Sequence, residues 1–153
     1  MSGERRPLRV TDTPFAEANP KVSPDGHWIA YSSNESGNRM EVYVQSFPQP
    51  GAKQQVSTKG VLREREANAA RGRLHWRPDG KELFYLAPDF TVMAVPITSN
   101  GASLNAGTPV PLFQSRGNSG FQVSSDGRFL LGVNTDFESP ITVILNWSAA
   151  LHN

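Results

Sequence analysis

The fold is decided by the stretch Asn19-Pro20-Lys21-Val22-Ser23-Pro24-Asp25-Gly26-His27-Trp28-Ile29-Ala30-Tyr31. A proline-primed Asp-Gly pair stands between β-prone runs, the pattern of a tight hairpin: proline presets the turn, and Asp and Gly both tolerate positive φ. The pattern returns in Leu74-His75-Trp76-Arg77-Pro78-Asp79-Gly80-Lys81-Glu82-Leu83-Phe84-Tyr85. It returns again in Phe121-Gln122-Val123-Ser124-Ser125-Asp126-Gly127-Arg128-Phe129-Leu130-Leu131, with the aspartates 54 and then 47 residues apart. Val22, Trp76 and Val123 lie three residues before each Asp, and Ile29, Leu83 and Leu130 four after it, so apolar groups are expected to flank each turn in register.

Outward from each turn, a third β-prone run closes the unit: Glu41-Val42-Tyr43-Val44, Val92-Met93-Ala94-Val95 and Ile141-Thr142-Val143-Ile144-Leu145. Second turns are read at 34–38, 87–89 and 136–140. Gln54-Gln55-Val56-Ser57 and Pro109-Val110-Pro111-Leu112-Phe113 supply fourth strands, the latter at an edge, where a proline's missing N–H harms nothing. Four strands in about 45 residues is the period of a propeller blade. The expectation is an all-β partial β-propeller of about three four-stranded antiparallel blades within 7–150: blades at 12–58, 74–114 and 118–148, a strand at 7–11 completing another blade, and a solvated insertion at 59–73 that has room for a short helix.

Composition agrees with a turn-rich β protein. The 153 residues are 37% hydrophobic and include 13 Gly and 12 Pro, spread along the chain as many hairpins require. A net charge of +1 gives no field to collect nucleic acid, and the insertion, with Arg63, Arg65, Arg71 and Arg73 against Glu64 and Glu66, is too weakly basic to change that. The absence of cysteine removes disulfides, thiolate chemistry and Cys-based zinc sites. No signal peptide and no apolar run of spanning length is read, so membrane insertion by this chain is not expected.

At Ser23-Pro24-Asp25-Gly26, with Asn19-Pro20 before it and Trp28-Ile29-Ala30-Tyr31 after it, the sequence resembles the TolB-type β-propeller repeat, also called the WD40-like Pro-Asp repeat. The string 76–86 and the ending 140–147 resemble the C-terminal part of the sensor-like propellers attached to bacterial serine/threonine protein kinases. Departures are Ser125 in place of proline, Gly132 where the other units have Tyr31 and Tyr85, and the insertion. The resemblance implies six- or seven-bladed rings, usually periplasmic or otherwise extracytoplasmic, that bind proteins or ligands and rarely catalyse. The kinase motifs themselves are absent from the sequence.

Candidate chemistry is sparse. Ser119 lies in Gly117-Asn118-Ser119-Gly120, whose spacing is not that of a nucleophile elbow, and His27, His75 and His152 fall in no metal-ligand spacing, the first two reading as surface or rim residues. The residues singled out are the repeat turns Asp25, Gly26, Asp79, Gly80, Asp126 and Gly127. A ring of carboxylates could hold a cation, but each Asp is expected to accept local backbone N–H groups while its Gly turns left-handed. Trp76 and Trp147 are expected in core or inter-blade packing, and Trp28 partly exposed.

No catalytic residue, metal or cofactor is expected. The reading is a non-catalytic propeller segment for protein interaction or ligand sensing; the alternative is the gating propeller of a hydrolase such as a prolyl-oligopeptidase-like peptidase. Three blades do not close a ring and should leave apolar blade faces seeking cover. The chain is therefore expected to be part of a larger propeller or to form a homodimer that completes a six-bladed ring.

Overall fold

The computed structural model describes residues 9–62, 73–100, 102–115, 120–131 and the backbone of 142–144. The first sheet is an antiparallel meander of β1 (Glu17–Val22), β2 (Trp28–Ser33), β3 (Glu41–Ser46) and β4 (Lys53–Gln55), hydrogen-bonded in that order. Strand periodicity divides its side chains between two faces. Trp28, Ala30, Val42 and Val44 point toward the second sheet, while Ile29, Tyr31 and Tyr43 point the other way. A bulge between Ala18 and Lys21 carries Asn19 at φ 56, a left-handed position that asparagine tolerates better than most residues.

The second sheet comprises β5 (Leu74–Trp76), β6 (Glu82–Leu86), β7 (Thr91–Ser99), β8 (Leu104–Ala106) and β9 (Val110–Gln114). It is buried on both sides, so β6 reads as a continuous apolar run rather than an alternating one. Leu83, Tyr85 and Val95 join Trp28, Val42 and Val44 in one core. Phe84, Leu86, Val92 and Ala94 join Phe121, Phe129 and Leu131 in another.

The third sheet is β10 (Phe121–Val123), β11 (Phe129–Leu131) and β12 (Thr142–Ile144), again in antiparallel order. Phe129 meets Phe84 and Phe113 edge-on at centroid distances of 5.0 and 5.2 Å, the favourable T-shaped geometry. The chain is thus an all-β partial propeller, three blade-like sheets stacked face to face with two aromatic-aliphatic cores between them.

The structure departs from several expectations. Residues 9–11 form no strand, and 7–8 lie outside the described residues; Val10 instead packs, with Phe47, onto Ile29, Tyr31 and Tyr43. That cover is why the outer face of the first blade is not an open apolar surface. The third turn is one residue shorter than the others, since Val123 pairs with Phe129 rather than Leu130, whereas Val22 pairs with Ile29 and Trp76 with Leu83. A one-residue slip inverts the faces, so Phe129 is 0% exposed and Leu130 43%.

The second blade also carries a hairpin the sequence reading lacked. β7 runs on through Pro96 to Ser99 and turns into β8, while β9 pairs β7 farther back. The insertion is not solvated at its ends: Val61 and Leu62 are buried in the two cores and Arg73 is buried beside them. Residues 63–72, including the helix allowed there, lie outside the described residues, as do the turn at 136–140, Ser119, Trp147 and His152.

Candidate functional site

The three Asp-Gly turns lie on one rim, each closed by its own atoms. Gly26, Gly80 and Gly127 have φ of 75, 72 and 81°, and their N–H groups donate to the carbonyls of Ser23, Arg77 and Ser124 at 2.9 Å each. The aspartates do not share the positive φ, because one left-handed residue closes the turn and glycine takes that position at least cost.

The carboxylates are consumed locally. Asp25 accepts the Ser23 hydroxyl at 2.6 Å and the His27 N–H at 3.1 Å, and the serine bond leads in lowering its pKa. Asp79 accepts the Lys81 N–H at 3.0 Å, with the Arg77 Nε 3.5 Å away. Asp126 accepts the Ser124 hydroxyl and pairs with Arg128 at 2.7 Å; Ser124 first and Arg128 second pull its pKa down to about 2. A small depression of about 180 Å³ separates the second and third turns, lined by Arg77, Asp79 and Asp126 among others. Its carboxylates already face guanidinium groups, and among the described residues no three His, Asp or Glu side chains gather as a metal cluster would require.

His75 and Trp28 place differently from expectation. His27 is exposed, but His75 is wedged between blades, its ring 5.0 Å from that of Phe121, and desolvation lowers its pKa to about 4. Trp28 is 2% exposed rather than partly open, because the first position of β2 faces the second blade. Its indole N–H donates to Ser99 Oγ at 2.9 Å, and that of Trp76 to the Lys21 carbonyl at 2.9 Å. Both indoles therefore tie neighbouring blades together.

A concavity lies beside the crossover from the first blade to the second, on the rim opposite the Asp-Gly turns. It has a volume of about 550 Å³ and is walled by Tyr85, Met93, Pro88, Pro109 and Pro111, with Lys59 and three threonines, Thr58, Thr91 and Thr108, among the polar groups. This falls within the range of about 300–1,000 Å³ typical of small-ligand pockets. Its position follows from the crossover between blades. Buried Glu41 accepts the Ser57 hydroxyl and, at 3.0 Å, the Gly60 N–H, while the Val61 N–H donates to the Met40 carbonyl at 2.8 Å. The 57–61 segment is thereby pinned to the start of β3, with Thr58 and Lys59 left at the cleft.

On the other wall, the turn after β6 is held by Asp89, which accepts the Thr91 N–H at 3.0 Å, and by Phe90 at φ 64. A bulky residue in that conformation is strained, and the Phe90 ring is retained by packing on the second core. The sequence reading missed this cleft, since its walls come from three separate segments, 58–59, 85–93 and 108–111. The nearest local signal was the proline pair at 109 and 111.

Comparison with known proteins finds likeness among solved structures alone. No family model matches the chain, and no curated protein matches it. Among solved structures it is similar to the crystal structure of TolB from Acinetobacter baumannii, at 15% identity and a TM-score of 0.46; the match covers 88% of this chain and 42% of that one, so the chain spans less than half the length of that structure.

Proposed function

We propose that this chain is a non-catalytic recognition segment of a larger propeller, holding a protein segment or a small ligand in the cleft between its first two blades. The observation that carries the reading is the cleft itself: a preformed, largely apolar concavity with a few polar groups at fixed positions, as recognition sites are commonly built. The Asp-Gly rim contrasts with it, because its carboxylates are engaged in their own turns or by arginine. Three blades fall short of the roughly four to eight that close a ring. The segment is therefore read as one arc, completed by further blades of a longer chain or by a second copy.

The test is a titration of the isotope-labelled chain with a library of small organic fragments, followed by NMR. Shift changes gathered on Tyr85, Thr91 and Met93 support the reading. Binders that gather elsewhere, or none that touch these residues, overturn it.

A further inference from the structure

The polar groups around the cleft divide by whether the protein has already used them. Asp89 is engaged in its turn, where its carboxylate accepts the Thr91 N–H at 3.0 Å. Glu41, behind the cleft, is spent on Ser57 and Gly60. Two donors are unspent: the Tyr85 hydroxyl has no hydrogen-bond partner among the described residues, and exposed Lys59 makes no ion pair among them.

Burial, and then the Glu41 charge, push the Tyr85 phenol up to about 12, so near neutral pH it keeps its proton and remains a donor. The walls between these donors are apolar, formed by Met93, Pro88, Pro109 and Pro111. Pro109 and Pro111 also remove two N–H groups from the β9 edge, which disfavours capture of a peptide by strand addition. A ligand must then be recognised through its end and its side, not through a backbone ladder.

We infer that the cleft takes an amphiphilic monocarboxylate, its carboxylate accepting from the Tyr85 hydroxyl and the Lys59 ammonium and its apolar body lying along Met93 and the proline walls. The inference rests on the recognition reading above and names its ligand class. Carboxylate acceptors suit this site because hydrogen bonds with an ionised partner are the strong ones, and the donors are otherwise unpaired. The same chemistry is offered by a free small acid and by the C-terminus of a protein chain.

The experiment is an NMR titration of the whole chain with sodium octanoate and, separately, octan-1-ol, which keeps the tail and lacks the carboxylate. Octanoate is expected to shift Tyr85 and Met93 resonances and to bind about tenfold more tightly than octanol. Tyr85→Phe, which keeps the ring and the packing, and Lys59→Met, at an exposed position, should each weaken octanoate about fivefold and leave octanol unchanged. Octanol binding as well as octanoate, or variants without effect, overturns the carboxylate assignment while the recognition reading stands. Neither compound shifting the cleft overturns the carboxylate assignment, and the fragment titration above then decides the recognition reading separately. A leucine-terminated pentapeptide, as free acid and as amide, separates the sources: tight binding of the free acid alone assigns a protein C-terminus, and binding of octanoate without either peptide assigns a free acid, both supporting the inference.

Discussion

The side-chain amide of Gln54 clasps the backbone of Ala106, accepting its N–H at 3.1 Å and donating to its carbonyl at 3.3 Å. Gln54 lies on the outer strand of the first blade and Ala106 on the extra hairpin of the second, so the amide stands in for a missing strand pair between blades. Gln54→Glu keeps the shape and removes the donor, placing a carboxylate against a carbonyl. The expected loss is about 1–2 kcal/mol, read as a lower urea midpoint with an unchanged slope. An unchanged midpoint would show that water replaces the clasp at no cost.

The Trp28–Ser99 hydrogen bond joins the same two blades through the core. Ser99→Ala alone should cost about 1 kcal/mol, and Trp28→Phe about 1–3 kcal/mol from lost packing and the lost N–H. In a double-mutant cycle the two should couple by roughly 0.5–1 kcal/mol. Strict additivity would mean that the indole contributes by volume alone.

His75 makes stability depend on pH. Its Nε2 is enclosed without a hydrogen-bond partner, and its pKa falls from 6.5 to about 4, through desolvation first and the charge of Lys21 second. The folded state resists the proton that the unfolded state accepts, so this contribution is full above pH 6.5 and is lost as pH falls toward 4. Unfolding free energy should drop by roughly 2 kcal/mol between pH 6.5 and 4.5. His75→Leu should flatten that slope; an equal slope in the variant would assign it to other groups.

Glu41 ties the inter-blade crossover to β3. Glu41→Leu would leave the Gly60 N–H unpaired in a buried site and release the Ser57 hydroxyl, which would still accept the Val42 N–H at 2.8 Å. A loss of about 1–3 kcal/mol is expected, together with faster amide exchange at Gly60 and Val61. Exchange that stays at the wild-type rate would show that packing of Val61 and Leu62 alone holds the crossover.

The sequence disclosed the hairpins because each Asp-Gly turn is local: Gly26, Gly80 and Gly127 need one left-handed position, and only short-range chemistry selects it. It disclosed the blade order for the same reason, since a meander pairs neighbours. What it hid depends on longer range. The β8 hairpin was obscured by Pro96, which reads as a strand breaker. Pro96 instead sits at the far end of the β6 pairing, opposite Glu82, just before β7 pairs with β8 from Ile97 onward. The burial of Trp28 required knowing which face meets the second blade, and the third turn's slip was masked because Phe129 and Leu130 are both apolar. The cleft assembles from three segments whose outer two, 58–59 and 108–111, lie about 50 residues apart, a separation at which no spacing in the sequence signals proximity.

The most direct measurement is a crystal structure of the chain grown with octanoate. The ligand is expected in the cleft between the first and second blades, its carboxylate within about 2.6–3.2 Å of the Tyr85 hydroxyl and its tail against Met93. An empty cleft at saturating octanoate, or a ligand seated there with its carboxylate turned away from Tyr85, would contradict it.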